Sequence, residues 1–80
     1  MTNETTKLNK LGKNIQKYRK LKGYSQNVLA DYLEISREHL AKIETAKRRI
    51  SLKLLFKLSE ILEIAEKDLF DFENSASFRA

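Results

Sequence analysis

The 80-residue chain has no cysteine, no proline and no tryptophan, only two glycines and a single histidine. Without cysteine there is no disulfide framework and no thiolate-held zinc or iron–sulfur site. One histidine cannot supply a transition-metal cage by itself, so no metal and no cofactor is expected. The shortage of glycine and proline argues against a turn-rich all-β architecture. No apolar run exceeds three residues, so no segment reads as a membrane span. The first ten residues, MTNETTKLNK, lack the apolar stretch of a secretory signal. No paired carboxylates, nucleophile–base pattern or ligand cluster points to an enzyme, and no small-molecule ligand is evident. The expectation is a single small, soluble, basic, helical domain of intracellular location.

What the chain does have is charge, unevenly placed. The net charge is +5. Residues 1–25 carry +6, residues 26–50 carry +1, and residues 51–80 carry −2. A basic front and an acidic back fit a domain that turns one side toward a polyanion. Ordinary solubilising charge is the plainer reading.

Helical periodicity runs through most of the sequence. Residues 1–7 are polar and non-periodic and read as a flexible tail. Leu8, Leu11, Ile15 and Tyr18 then mark one face of a first helix, with Lys10, Lys13, Lys17 and Lys20 nearly opposite. That lysine stripe reads first as a solvated face, and second as a long-range attractor of a polyanion. Gly23 supplies a left-handed stop near Lys22. Ser25 caps a second helix to about Leu33, and Ser36 caps a third from Arg37 to about Thr45. Ala46 to Ile50 is a basic loop. Ser51 caps a fourth helix to about Leu62, and Glu66–Phe70 form a short fifth. Residues 73–80 read as a C-terminal tail. The fold class is all-α: five helices around one core, over residues 8–72.

The run from Gly23 and Ser25-Gln26 through LADYLEISREHLAKIE resembles the Cro/C1-type helix-turn-helix family, the lambda-repressor-like or XRE domains of phage and bacterial regulators. The resemblance covers about residues 11–70, with the helix-turn-helix motif at about 26–45. It rests on Ile15, Arg19, Ser25-Gln26, Leu29-Ala30, Leu33, Ile35-Ser36, Leu40, Ile43-Glu44, Lys47 to Arg49, Leu55, Leu62, Ile64 and Leu69. Glu34, Ala46 and Glu63 stand where such domains usually carry glycine, and Ile50 where they often carry proline. Either the backbone avoids positive φ at those three positions or some stability is given up.

Arg37 at the start of the third helix opposes the helix dipole, so a fold-only role would favour an acid there. Base edges in a major groove favour arginine, which can bond guanine O6 and N7 together. The resemblance implies base contacts from the first, second and sixth residues of this helix: Arg37, Glu38 and Lys42. For Lys42 a phosphate is the alternative to guanine. Glu38 has a plainer role in offsetting the dipole. His39 either touches the DNA backbone or borders the core. The resemblance places Gln26 on a phosphate at the second helix's N-terminus, bracing the recognition helix, with Asn27 assisting. Thr45, Lys47, Arg48 and Arg49 are expected to flank the groove as further backbone contacts. Arg19 and Glu44 are expected to form a buried, structural salt bridge.

Leu54 and Ile61 lie at i, i+7 on a second face of the fourth helix, with Phe56 between them. Phe70, Phe72 and Phe78 follow. Either Leu54, Ile61, Phe70 and Phe72 form a dimer interface, or they roof the core of a small domain. The functional expectation is a homodimeric regulator, of repressor or controller type, on an inverted repeat of double-stranded DNA. The alternative is an antitoxin-like module whose main partner is a toxin-like protein.

Overall fold

The computed structural model describes residues 3–72, with side chains from residue 4 onward. Five helices follow in order: α1 (Asn3–Leu21), α2 (Gln26–Leu33), α3 (Arg37–Glu44), α4 (Leu52–Leu62) and α5 (Glu66–Leu69). No strand occurs among the described residues. None of these helices is long and apolar enough to cross a membrane.

The three serine caps form as their sequence positions require. Ser25, Ser36 and Ser51 are extended, and their hydroxyls accept from the backbone N–H groups of Val28, His39 and Leu54 at 3.1, 2.9 and 3.1 Å. Each satisfies one orphan donor of the following helix. The helices then bury one apolar stripe each. Leu11 and Ile15 of α1 meet Leu29, Ala30 and Leu33 of α2, Leu40 and Ile43 of α3, Leu55, Leu58 and Leu62 of α4, and Leu69 of α5. Asn14 donates from α1 to the carbonyls of Leu69 and Asp71, at 2.8 and 3.2 Å, which fastens α5 to the bundle.

The amino-terminal end differs from the sequence reading. Residues 3–7, expected to be a flexible tail, continue α1 back to Asn3. Adding turns to an existing helix is far easier than nucleating one. Glu4 also suits the positive end of the helix dipole and pairs with Arg49. Lys7 and Leu8 line an apolar groove with Leu11, Phe70 and Phe72. The expected tail at 73–80, with Phe78, lies outside the described residues.

Helices α1 to α4 share one type of ending. At each, a residue in the left-handed region follows the last turn: Gly23, Glu34, Ala46 and Glu63, with φ of 78, 61, 64 and 59°. The next N–H reaches back to a carbonyl five residues earlier, as in Ile35 to Ala30 at 3.0 Å, Lys47 to Lys42 at 2.8 Å and Ile64 to Ser59 at 3.1 Å. This is the Schellman arrangement, in which glycine is the usual left-handed residue. Three non-glycine residues therefore do adopt positive φ, each at about 1 kcal/mol or more. Glu34 and Glu63 gain ion pairs with Lys57 and Lys22. The hydrogen bond from Lys22 holds the Glu63 carboxyl below its ordinary value. That contribution is present above the ordinary carboxylate range and is lost as pH falls through the lowered value. Ala46 has no side-chain compensation to offer. Ala46→Gly is expected to stabilise the domain by on the order of 1 kcal/mol, read as a higher thermal midpoint.

Candidate nucleic-acid interface

α3 lies against both α1 and α2, so its inner face is fully used. Leu40 and Ile43 are in the core, and Glu44 is buried beside them. Its outer face carries Arg37, Glu38 and Lys42, all exposed. Asn27 at the first turn of α2 and Lys47 and Arg48 after α3 are also exposed. The structure thus leaves the three expected base-reading side chains in solvent on one short helix, with cations after it.

A connected set of polar contacts stands behind this face. Arg19 of α1 meets Glu44 of α3 through two bonds, Nε to Oε2 at 2.7 Å and Nη2 to Oε1 at 3.2 Å. The third nitrogen, Nη1, donates to the Tyr24 carbonyl at 3.0 Å. All three guanidinium nitrogens are therefore engaged, which lets the charge be buried. Gln26 extends the chain: its Nε2 donates to Glu44 Oε1 at 2.9 Å, while its Oε1 accepts from Arg37 Nη1 at 3.2 Å. One amide hydrogen of Gln26 remains for an outside acceptor such as a phosphate.

Two expected backbone contacts are already occupied. The Thr45 hydroxyl donates to the Ala41 carbonyl at 2.8 Å. A phosphate can only accept, so Thr45 must give up that bond to touch one through its side chain. Arg49 is paired with Glu4. Sequence reasoning missed this pair because its partners stand far apart in the chain and Glu4 was placed in a tail. Glu4→Gln is expected to raise affinity for arbitrary duplex DNA by up to about fivefold, the range of an exposed ion pair. The slope of log K against log salt should also steepen by about 0.9, one more phosphate contact. If neither changes, Arg49 does not turn toward phosphate.

His39 is half-buried and lines a shallow pocket with Leu33, Ile35, Ser51 and Leu54, which places it at the border of the core. Of the four side chains expected at a dimer interface, Leu54, Ile61 and Phe72 are half-buried and pack on the core. Phe70 is 45% exposed and meets Phe72 edge-on at 6.0 Å. The more open apolar side chains of α4 are Leu52 and Phe56, at 69% and 52%. They share a different edge of the helix from Leu54 and Ile61, and helical spacing alone could have paired them. Among the described residues there is no His/Cys/Asp/Glu cluster able to hold a metal.

A five-helix bundle whose two short central helices are joined by a tight turn, with cations around the second, defines a helix-turn-helix protein. The helix-turn-helix family model HTH_3 matches residues 15–69, and the chain belongs to this family, the Cro/C1-type. It is a family of DNA-binding regulators and not of enzymes. The chain is 44% identical over 54 residues to the SPbeta prophage-derived uncharacterized HTH-type transcriptional regulator YonR of Bacillus subtilis, covering 68% of this chain and 50% of that protein. It is 42% identical over 64 residues to the HTH-type transcriptional regulator SlrR of the same organism, covering 79% of this chain and 42% of SlrR. It is 30% identical over 69 residues to SinR, also from Bacillus subtilis, covering 85% of this chain and 62% of SinR. The chain thus spans about half the length of these relatives. Among solved structures it resembles the restriction-modification controller protein C.AhdI of Aeromonas hydrophila. That match has a TM-score of 0.77 and 32% identity, and covers 81% of this chain and 98% of the other.

Proposed function

We propose that this protein is a sequence-specific transcriptional regulator that binds double-stranded DNA with α3 in the major groove. The observation that carries this reading is the outer face of α3, where Arg37, Glu38 and Lys42 project together while Gln26 holds Arg37 from behind. Arginine and lysine suit guanine acceptors, and glutamate suits the cytosine amine. Lys47, Arg48 and Asn27 are the backbone contacts, and they set register without reading sequence. The similarity to YonR, SlrR, SinR and C.AhdI supports a regulatory role, of repressor or controller type.

The proposal includes a homodimer on an inverted repeat. Its apolar contribution comes from the exposed Phe70, together with Leu52 and Phe56. A two-fold arrangement would set two copies of α3 about 34 Å apart, one turn of duplex.

Selection from a random DNA pool with the full chain tests both parts. Enrichment of an inverted repeat is the expected result. No enrichment would favour a role in protein binding instead. On the selected site, Arg37→Ala and Lys42→Ala should each relax preference at particular base pairs, while Arg48→Ala should weaken all sequences alike. If the three variants behave alike, the division between base and phosphate contacts is wrong.

A further inference from the structure

We propose that Glu44 is a positioning residue for sequence readout, acting through Gln26 on Arg37. The inference rests on the DNA-binding reading above and assigns a second duty to a buried pair whose first duty is structural.

The Glu44 side chain has no solvent exposure. Its Oε1 receives two hydrogen bonds, from Arg19 Nη2 at 3.2 Å and from Gln26 Nε2 at 2.9 Å. A carboxylate can only accept, whereas a carboxamide has one donating end and one accepting end. Glu44 therefore dictates which way the Gln26 amide faces. With Nε2 turned inward, Oε1 must point outward to α3, and there it accepts from Arg37 Nη1 at 3.2 Å. The direction of each bond follows from the one before it, beginning with a buried anion that cannot reorient.

Arg37 needs such help. It is exposed, stands at the first position of α3, and carries a long side chain with many rotamers. Ordering it only on contact with a base would waste rotamer freedom at that moment. A neutral or absent group at position 44 would free the Gln26 amide to face either way, and half of those states present N–H groups to a guanidinium that has no acceptor. Arg19, on α1, enters the scheme because it holds the Glu44 carboxylate in one orientation through two bonds.

The test compares discrimination with overall affinity on the selected operator, using the full chain. Arg37→Ala first identifies the base pair whose preference depends on Arg37. The double variant Arg19→Met/Glu44→Leu then replaces both buried partners with apolar groups of similar size, a change that cores often tolerate. Discrimination at that base pair is expected to fall about fivefold or more, within the range one arginine–base contact supplies. Preference at the other base pairs and binding to arbitrary DNA should stay near their original values. Unchanged discrimination in a folded double variant overturns the proposal. Should that variant prove unfolded, Glu44→Gln carries the test, since it keeps an acceptor for Arg19 but can turn an N–H toward Gln26, so the Gln26 amide is no longer held one way. The same selective loss is expected there, and retained discrimination overturns the proposal. If Arg37→Ala itself changes no preference, it is the base-reading role of α3 that fails.

Discussion

Glu44→Ala is expected to lower stability by about 3–5 kcal/mol, the usual cost of leaving one member of a buried ion pair alone. Arg19 would be stranded at 7% exposure with only the Tyr24 carbonyl as partner. For a domain of this length that corresponds to a fall in thermal midpoint of well over 10 °C, on the order of 4–8 °C per kcal/mol. A domain of ordinary marginal stability would be largely unfolded at 37 °C. Circular dichroism melts would measure this. The control is the Arg19→Met/Glu44→Leu variant, whose midpoint should lie much closer to the parent. A mild Glu44→Ala loss, below about 1 kcal/mol, would mean that water enters and solvates Arg19, and the pair is not buried in solution.

Gly12→Ala comes second, with an expected loss of about 2–3 kcal/mol, the range of an overpacked core. In an exposed helix the same change would help by nearly 1 kcal/mol. Here α1 crosses α3 with backbone against backbone. A Cβ on Gly12 would lie 2.9 Å from the Ile43 carbonyl oxygen and closer still to that of Glu44. No rotamer can relieve a clash with main-chain atoms, so the helices must separate or tilt. Gly23→Ala makes the contrast, since nothing lies within 4 Å of its Cβ position and only its φ of +78° objects. That variant should lose about 1 kcal/mol from strain alone. Equal losses at the two glycines would refute the close approach at Gly12.

These two cases mark where the sequence could be read and where it could not. Ser25, Ser36 and Ser51 were legible as caps because a cap is a local device, decided within four residues. The core was legible from spacing for the same reason. Gly12 was not, because a glycine that admits another helix looks in sequence like a weakness in its own. Residues 3–7 were read as a tail because the apolar stripe begins at Leu8, while one support for the added turn is a pair with Arg49. The family resemblance indicated that Arg19 and Glu44 would be joined. It did not show that Gln26 would carry that joint outward to Arg37, which requires three helices to be seen at once. On α4, spacing offered two edges for an interface, and only the position of α2 and α5 decides which is covered.

The left-handed stops at Glu34, Ala46 and Glu63 have a kinetic side. A strained residue relaxes when the turn around it opens, so each stop lowers the cost of local unfolding by the strain it holds. About 1 kcal/mol makes such openings roughly fivefold more frequent than at an equivalent glycine. Backbone amides at the carboxyl-terminal turns of α2, α3 and α4 should accordingly exchange with solvent faster than those at the end of α1, where Gly23 holds the same shape without strain. At Ala46 the quickened opening should fall where α3 gives way to Lys47 and Arg48, so two of the cations assigned to the DNA backbone are expected to sit beside a turn that opens readily.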